Sequence, residues 1–473
     1  MASRLFRVGI GEFVGLPSSG EIWRTVEDVA DLVQGRILRL AVTGLSGGGK
    51  TVFITALVHH LLQGSELPFV GAVQERRLLG ARLLPPRPGD PPPFPFATAR
   101  ATLADPEPRW PAPTEQLSAV RLQIRFAVKG LLRRRLGEHR TLNVQIIDYP
   151  GEWLLDLPLL ELDYATWSTQ MLDLAETPAR AGLATEWRRL IAGLDPGAPA
   201  DASLAMTVAG AYRNYLQRCR AAGLSLLQPG RFTMAAEPTE ARLWFSPLPP
   251  GEPAPGGLRD LMAARYERYR EEVVRPFYRD HFSRFDRQIV LVDLLDALNR
   301  GRACFDDLQA TLELVLRSFR YGTSGLLTRL FQPRVERLLF AVSKADHVAH
   351  NQHHNLRLLL ERLVTGPAGQ ARFEGVRPAF MALAAHRSTD VVRTEHHGQT
   401  LSCVRGVLVG KARQTILFPG EIPPDLPSEA DWREGRFRFR QFAPRRLQLQ
   451  GAEKPQHIRL DQAIEVLLGD RLQ

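Results

Sequence analysis

The sequence predicts an α/β fold with a mainly parallel sheet flanked by helices, a large helical insertion and a small C-terminal module. The first observation is the run Gly-Leu-Ser-Gly-Gly-Gly-Lys-Thr at residues 44–51, which follows an apolar stretch and precedes a helix-forming one. The second is that two later apolar runs, 142–148 and 337–342, each end in a short polar motif. Short apolar runs bounded by turn residues are typical of buried strands. The alternation of strands with helical segments favours a parallel sheet.

The glycine run matches the phosphate-binding pattern G-x-x-x-x-G-K-[ST] at every fixed position, which indicates a P-loop NTPase fold, with a chance glycine-rich turn as the alternative. The order of the later motifs indicates the GTPase-like kind of this fold. Glycines let successive main-chain N–H groups turn toward phosphate oxygens, and the following helix N-terminus adds a partial positive charge. Lys50 is expected to reach the β- and γ-phosphates, and Thr51 to offer its hydroxyl to Mg²⁺. Only five of the 61 basic residues are lysines, so a lysine at this position is itself informative. The predicted nucleotide-binding residues of this loop are Gly44, Ser46, Gly47, Gly48, Gly49, Lys50 and Thr51.

A second motif, Asp148-Tyr149-Pro150-Gly151, ends the strand predicted at 142–148. Asp148 is expected to hold Mg²⁺, and the Gly151 N–H to approach the γ-phosphate. Glu152 is a candidate to orient or deprotonate water, although its charge repels phosphate. The alternatives are an ordinary strand-to-turn junction for the motif and an arginine partner or a helix-capping role for Glu152.

A third motif, residues 343–346 (Ser-Lys-Ala-Asp), is similar to the guanine-reading pattern N/T-K-x-D, with serine at the first position. The Asp346 carboxylate would accept from the ring N–H and the amine of guanine together, a donor pair that adenine lacks. The stem of Lys344 would cover the base. Small residues at the end of the next predicted strand, Ala384 and Ala385, would let a main-chain N–H reach the guanine oxygen. The alternative is a solvated Lys/Asp turn.

The loop that would close over Mg²⁺ is expected just before a strand predicted at 119–126, which pairs with 142–148. Thr114 is the first candidate for its threonine, as both a metal ligand and a catalytic group, and Ser118 is the second. Both residues are equally compatible with ordinary loop positions.

The chain resembles a known family through residues 44–57, 148–158, 265–282 and 417–421. These segments, above all Asp-Tyr-Pro-Gly-Glu-Trp-Leu-Leu-Asp-Leu-Pro at 148–158, are similar to the YcjX-like P-loop proteins of bacteria. The resemblance covers nearly the whole chain. It implies GTP binding, slow or modest hydrolysis and an association with envelope or general stress. One departure is the pair Gly47 and Gly48, where bulkier residues are expected, and it predicts a looser loop.

The motif order predicts five segments. They are an N-terminal helical segment (1–36), a first GTPase part (37–152), a helical insertion (153–285), a second GTPase part (286–400) and a C-terminal module of short strands and a helix (401–473).

The composition of the chain limits which partners and which cellular compartment are expected. The net charge of +10 permits contact with an anionic membrane face, but no recognisable nucleic-acid module accompanies it, so no specific nucleic-acid partner is expected. No long apolar run or secretory signal is found, and the three scattered cysteines suit a reducing compartment. We therefore expect a cytoplasmic location, with peripheral contact at the inner membrane face as an option.

Two further clusters of the chain have alternative interpretations. The histidines His347, His350, His353 and His354 could hold a metal, although a solvated helix is the simpler interpretation. The stretch 265–270 alternates arginine with tyrosine. It could meet a partner or send an arginine toward the γ-phosphate, or it could be a tyrosine stripe packed on the core beside solvated arginines.

The sequence thus predicts a slow Mg²⁺-dependent GTPase that switches between GTP- and GDP-bound shapes, with an unknown protein partner contacting the insertion. Two alternatives stay open. One is an ATPase in which Asp346 has no role in base selection, and the other is a scaffold that nucleotide stabilises without appreciable turnover.

Overall fold

A computed structural model describes residues 37–45, 47–64, 66–113, 116–129, 138–195, 197, 199–234, 243–251, 255–319, 335–365, 378–449 and 456–473. The predicted N-terminal helix lies outside these residues. The centre of the fold is a seven-stranded sheet in the order β2-β3-β4-β1-β5-β6-β7. The strands are β1 (Leu38–Gly44), β2 (Leu78–Leu84), β3 (Ser118–Ala127), β4 (His139–Asp148), β5 (Arg287–Val292), β6 (Arg337–Val342) and β7 (Ala379–Ala382).

Strands β4, β1, β5, β6 and β7 run parallel, and β2 and β3 add an antiparallel edge. The predicted α/β, mainly parallel fold is therefore confirmed. Strand order reverses at β1, which lies between β4 and β5. Ligands of open α/β sheets bind at the carboxyl edge of the sheet at such a reversal. That edge is where the glycine run begins.

Helices cover both faces of the sheet, each over its own apolar cluster. The helix after the glycine run packs on one face, and helices from the insertion and from the chain beyond β5 pack on the other. The α-helices are α1 (Lys50–Gln63), α2 (Gly71–Gln74), α3 (Phe96–Ala104), α4 (Tyr164–Glu176), α5 (Thr185–Ala192), α6 (Ala202–Ala221), α7 (Leu258–Tyr269), α8 (Arg275–Asp280), α9 (Leu294–Arg300), α10 (Arg302–Ser318), α11 (His353–Thr365), α12 (Glu429–Arg433) and α13 (Leu460–Leu468). The 3₁₀ segments are Gly151–Leu160, Gly230–Thr233, Phe282–Arg284, Ala345–His347, His350–Gln352 and Gly469–Arg471, and Arg270–Val274 is a π-helix between α7 and α8.

The segment between β4 and β5 is helical and shares one apolar cluster with the sheet. Its centre is aromatic: the Trp167 ring packs on Tyr212, Phe245 and Tyr266. Tyr266 and Tyr269 are fully buried, so the tyrosines of the 265–270 stretch form a core stripe. Their hydroxyls donate hydrogen bonds within the insertion, and the stretch does not line the two cavities next to the glycine run.

The 3₁₀ segment Gly151–Leu160 is joined to the insertion through Asp156. The Asp156 carboxylate accepts from Tyr269 Oη at 2.7 Å and from the Gly230 N–H at 2.6 Å. Arg231 approaches it at 3.7 Å while its guanidinium lies 3.5 Å from the centre of the Trp153 ring. Complete burial raises the pKa of the Asp156 carboxyl to about 6, although Arg231 and the hydrogen bonds oppose that shift.

A separate three-stranded antiparallel sheet contains β8 (Thr389–His396), β9 (Gln399–Val407) and β10 (Gln414–Leu417). This sheet begins before residue 401, and β9 runs across the boundary drawn there from the sequence. The final helix α13 does not join it, because its apolar face packs on the main sheet beside α1. In the described part of the chain, none of the helices combines the length and apolar character needed to cross a bilayer.

Candidate nucleotide-binding site

The glycine run forms a tight turn between β1 and α1. Gly47 and Gly49 have φ of 78° and 83°, in the left-handed region that side chains disfavour. The Gly48 N–H donates to the Leu45 carbonyl at 3.0 Å. A Cβ on Gly48 would lie 2.9 Å from the Leu291 carbonyl oxygen of β5. Gly47 and Gly48 therefore allow the loop to turn tightly and to approach β5 closely. The sequence alone predicts that this glycine pair loosens the loop.

Lys50 is the first residue of α1, and its Nζ donates to the Gly44 carbonyl at 2.9 Å. The ammonium thus lies along the loop where the phosphates of a nucleotide would be held. Thr51 follows it in the first turn and is buried. Gly47, Gly48, Gly49, Lys50 and Thr51 all line one cavity of about 250 Å³. Ser46 lies outside the described residues.

The second motif adjoins this loop through strand pairing. Asp148 ends β4 in register with Val42 of β1 and with Ser118 of β3, and it is fully buried. The backbone of Gly151 packs on the loop, so that a Cβ there would lie 2.6 Å from the Gly44 carbonyl oxygen. The predicted Asp148 and Gly151 positions are therefore brought to the base of the glycine loop.

The predicted Thr114 lies outside the described residues. The second candidate, Ser118, is the first residue of β3, and its buried Oγ has no hydrogen-bond partner among the described residues. Other residues of the segment before β3 do reach the cavity, because Trp110, Pro111 and Pro113 line it. The sequence alone offered no signal for Trp110 beyond its place in the expected loop.

The Ser-Lys-Ala-Asp motif follows β6 and lines the same cavity as the glycine loop through Ser343, Lys344 and Asp346. The Ser343 N–H and hydroxyl both donate to the Val292 carbonyl, at 3.0 and 3.3 Å. Lys344 has a left-handed φ of 58°, and its ammonium pairs with Asp293 at the end of β5. The motif is therefore fastened to the neighbouring strand end.

Asp346 is buried and is held by Ser388, whose N–H and hydroxyl both donate to Oδ2 at 2.6 Å. The other oxygen, Oδ1, makes no hydrogen bond to a described residue. One carboxylate oxygen thus fixes the orientation, and the other can accept from a ligand in the cavity. The alternative to base recognition was a solvated Lys/Asp turn. Asp346 is only 3% exposed, so its side chain is not solvated in that way.

The two predicted alanines differ in what their main chains can do. Ala384 donates its N–H to the Ile458 carbonyl at 3.0 Å, so that donor is already used. Ala385 also lines the cavity, and its N–H makes no hydrogen bond within the described part of the chain. Ala385 is therefore the better placed of the two to meet a base carbonyl, and Ala384 as an N–H donor is not supported.

Aromatic and neutral side chains complete the far end of the cavity. Trp110, His347, His386, Gln441 and Phe442 line it, and Trp110 Nε1 donates to the Phe442 carbonyl at 2.9 Å. Burial lowers the pKa of both histidines, so their imidazoles are neutral near pH 7. The pocket thus offers flat apolar surfaces beside one carboxylate. Sequence reasoning missed Phe442 and Gln441, because they come from a segment about a hundred residues beyond the Asp346 motif.

Glu152 lies on the other side of the loop and does not face the base cavity. The residue is 5% exposed, and its carboxylate pairs with Arg220 of α6 at 3.3 Å. Both line a second cavity of about 250 Å³, together with Gly47, Asp293 and Arg300. The insertion therefore does send an arginine toward the loop, but it is Arg220 and not a member of the 265–270 stretch.

The histidine cluster predicted as a possible metal site does not converge. His353 accepts from Arg459 at Nδ1 and contacts the Ala345 carbonyl through Nε2, so both ring nitrogens are used. His347 packs on the Phe442 ring. Of the four, only His347 lines the cavity next to the glycine loop, and His350 and His354 are exposed.

The sequence profile of the YcjX-like family, DUF463, matches residues 38–472. The chain belongs to this family. It is 41% identical over 451 residues to the Ras-like GTPase YcjX of Escherichia coli (strain K12), a match covering 92% of this chain and 96% of that protein. It is 37% identical over 467 residues to the Ras-like GTPase YcjX of Shewanella oneidensis (strain MR-1), covering 93% and 95%. The family predicted from residues 44–57 and 148–158 is confirmed.

Proposed function

We propose that this chain binds guanine nucleotides with Mg²⁺, hydrolyses GTP slowly and changes shape between its GTP- and GDP-bound forms. The observation that carries the proposal is the shared cavity, which has the glycine loop at one end and the oriented Asp346 carboxylate at the other. Two relatives that match nearly the whole chain are named Ras-like GTPases, which supports the same reading.

In this proposal Lys50 leaves the Gly44 carbonyl and binds the β- and γ-phosphates, while the loop N–H groups surround them. Asp346 Oδ1 accepts from guanine, and the Ala385 N–H donates to its carbonyl oxygen. An adenine would leave a buried carboxylate unsatisfied, which is costly. Trp110 and Phe442 would supply apolar contact to the ring. Base selection thus follows from the chemistry of one acceptor and one donor.

The residues present fit a Mg²⁺ ion. Carboxylate and hydroxyl oxygens are the ligands it takes, and Asp148 and Thr51 supply them next to the loop. The buried Ser118 hydroxyl, without a hydrogen-bond partner among the described residues, lies opposite Asp148 in the sheet. When bound, Mg²⁺ neutralises charge on the phosphates. Thr114 remains a proposed ligand from the sequence pattern alone.

Slow hydrolysis is proposed because Glu152 is held by Arg220 and carries the same sign of charge as the γ-phosphate. This ion pair equally favours the second candidate, a scaffold that binds GTP with negligible turnover. The switch would consist of rearrangement around Gly151, relayed to the insertion through Glu152 and Asp156. A protein partner on the insertion, a stress-related role and contact with the inner membrane face rest on the family resemblance and charge.

The experiment compares wild type with Lys50→Ala, using Lys411→Ala as an exposed lysine control. We expect GTP–Mg²⁺ to raise the melting temperature of wild type and of the control, and to leave Lys50→Ala unchanged. Phosphate release should exceed the Lys50→Ala background for a GTPase and equal it for the scaffold. Stabilisation that survives Lys50→Ala would contradict the placement of the site.

A further inference from the structure

A group of three metal-ligating side chains lies away from the nucleotide cavity. His60 is in the last turn of α1, Glu66 follows that helix, and His457 precedes α13. One ligand atom from each lies within 4.8 Å of the others, the only such group of three in the part of the chain that the structure describes. His60 and His457 are buried, and Glu66 is half-buried.

The hydrogen bond of His457 determines which of its nitrogens can bind a ligand. Its Nε2 lies 2.6 Å from the Glu66 main-chain carbonyl oxygen, which can only accept, so Nε2 carries the proton. The other nitrogen, Nδ1, then has its lone pair available. It is buried and has no hydrogen-bond partner among the described residues. A histidine that donates one ring N–H to a carbonyl and binds with the other nitrogen is the usual arrangement at metal centres.

Glu66 is also oriented before any ligand arrives. Its Oε2 accepts from the Gln456 N–H at 2.9 Å, and its Oε1 accepts from Gln456 Nε2 at 3.3 Å. Each oxygen keeps a further lone pair for a metal. The residue has a left-handed φ of 60°, which is uncommon for a residue other than glycine. The carboxylate is thus held beside both imidazoles by the segment that carries His457.

We propose that His60, Glu66 and His457 bind a divalent transition metal, with Zn²⁺ the best match. Two imidazoles and one carboxylate form a ligand set that zinc uses with a fourth, open position. Bond lengths of about 2.0–2.1 Å place tetrahedral ligands roughly 3.3–3.5 Å apart, so these groups need to close by about an ångström. A cavity of about 390 Å³ that Glu66 and His457 line gives the ion access from solvent.

The site would fasten the C-terminal segment to the end of α1. Ile458 exchanges two main-chain hydrogen bonds with Ala384, at 3.0 and 2.8 Å, and Gln456 accepts from the Arg387 N–H at 2.8 Å. Metal binding at His457 would therefore fix the segment 456–458, which pairs with the Ala384–Arg387 loop. Because nothing binds the metal in the unfolded chain with this geometry, binding stabilises the folded protein.

The test uses full-length protein without a histidine tag, stripped with a chelator and held with excess GDP. Calorimetric titration with Zn²⁺ should show one saturable equivalent, and the melting temperature should rise by a few degrees. Co²⁺ should give the visible absorption of a four-coordinate ion. His457→Ala and Glu66→Gln should each weaken zinc binding by at least the roughly 10–100-fold that loss of an outer-shell partner costs, while the exposed His354→Ala should not.

Glu66→Gln keeps the side-chain shape and so separates lost ligation from lost folding. Affinity unchanged in both variants would overturn the proposal, even with zinc bound elsewhere. Absence of saturable zinc binding to the folded wild type, or a six-coordinate cobalt spectrum, would overturn it as well.

Discussion

Gly151 packs directly against Gly44, so that a methyl group on Gly151 would lie 2.6 Å from the Gly44 carbonyl oxygen. The same carbonyl accepts the Lys50 ammonium. The segment proposed to sense the γ-phosphate and the loop proposed to hold it therefore meet at the Gly44 carbonyl.

Gly151→Ala should disturb that contact. We expect the free energy of unfolding to fall by about 1–3 kcal/mol, as overpacked sites do, and GTP affinity to fall at least about tenfold, or ~1.4 kcal/mol. Chemical denaturation and nucleotide titration measure the two effects. Gly182→Ala is the control, because a Cβ there would have nothing within 4 Å. Unaltered GTP affinity in Gly151→Ala would separate the segment from the site.

Arg220→Ala should affect GTP more than GDP. Removing the guanidinium leaves the buried Glu152 carboxylate uncompensated beside the loop. Its repulsion then acts on the additional charge of the γ-phosphate, so we expect the ratio of GTP to GDP affinity to fall about tenfold, or ~1.4 kcal/mol. Arg218→Ala on the same helix removes an exposed ion pair with Glu186 and is the matched control. An equal loss for both nucleotides would contradict a selective repulsion of the γ-phosphate by Glu152.

Trp110→Ala should weaken nucleotide binding without changing base preference. Trp110 lines the base end of the cavity and is 36% exposed, so its removal costs little core packing. Base–aromatic contacts contribute about 1–3 kcal/mol, and we expect a loss in that range for guanine and adenine nucleotides alike. Equilibrium binding of both measures it, with Phe418→Ala as an exposed aromatic control. Retained affinity would place the base elsewhere.

Asp156 should make stability depend on pH. Because its pKa rises from 3.8 to about 6 on folding, its contribution is fully present below pH 3.8 and is lost as pH rises through 6. This rise in the pKa of Asp156 corresponds to ~3 kcal/mol. Asp156→Asn should remove this dependence, so wild type should lose ~2 kcal/mol relative to the variant between about pH 4.5 and about pH 7. Denaturation at both pH values checks this, with exposed Asp425→Asn as control. Parallel curves for wild type and Asp156→Asn would contradict it.

The sequence was sufficient for features encoded within a few neighbouring residues. The glycine loop, the Asp148 and Asp346 strand ends and the central strands follow from local pattern, because a strand and the polar residues after it determine what reaches the sheet edge. Trp110, Arg220 and Phe442 could not be found that way. They reach the cavities from segments far apart in the chain, and only tertiary packing brings them there.

Two features of the chain depend on pairing between main-chain segments that the sequence analysis did not include. Ala384 cannot serve as an N–H donor, because Ile458, more than seventy residues later, already accepts from it. The boundary at 400/401 falls within β9, because the preceding strand β8 pairs with it as a hairpin. The hydrogen-bond partner of Ala384 lies far along the chain, so the residues around Ala384 do not reveal it, whereas β8 and β9 are consecutive strands of one hairpin.

The most direct test of the central proposal is equilibrium competition against a fluorescent guanine nucleotide with Mg²⁺ present. Wild type should prefer GTP to ATP by at least about a hundredfold, or ~2.7 kcal/mol, and Asp346→Asn should lose GTP affinity and gain xanthosine triphosphate affinity. Equal displacement by GTP and ATP from wild type, with no change of preference in Asp346→Asn, would contradict the account.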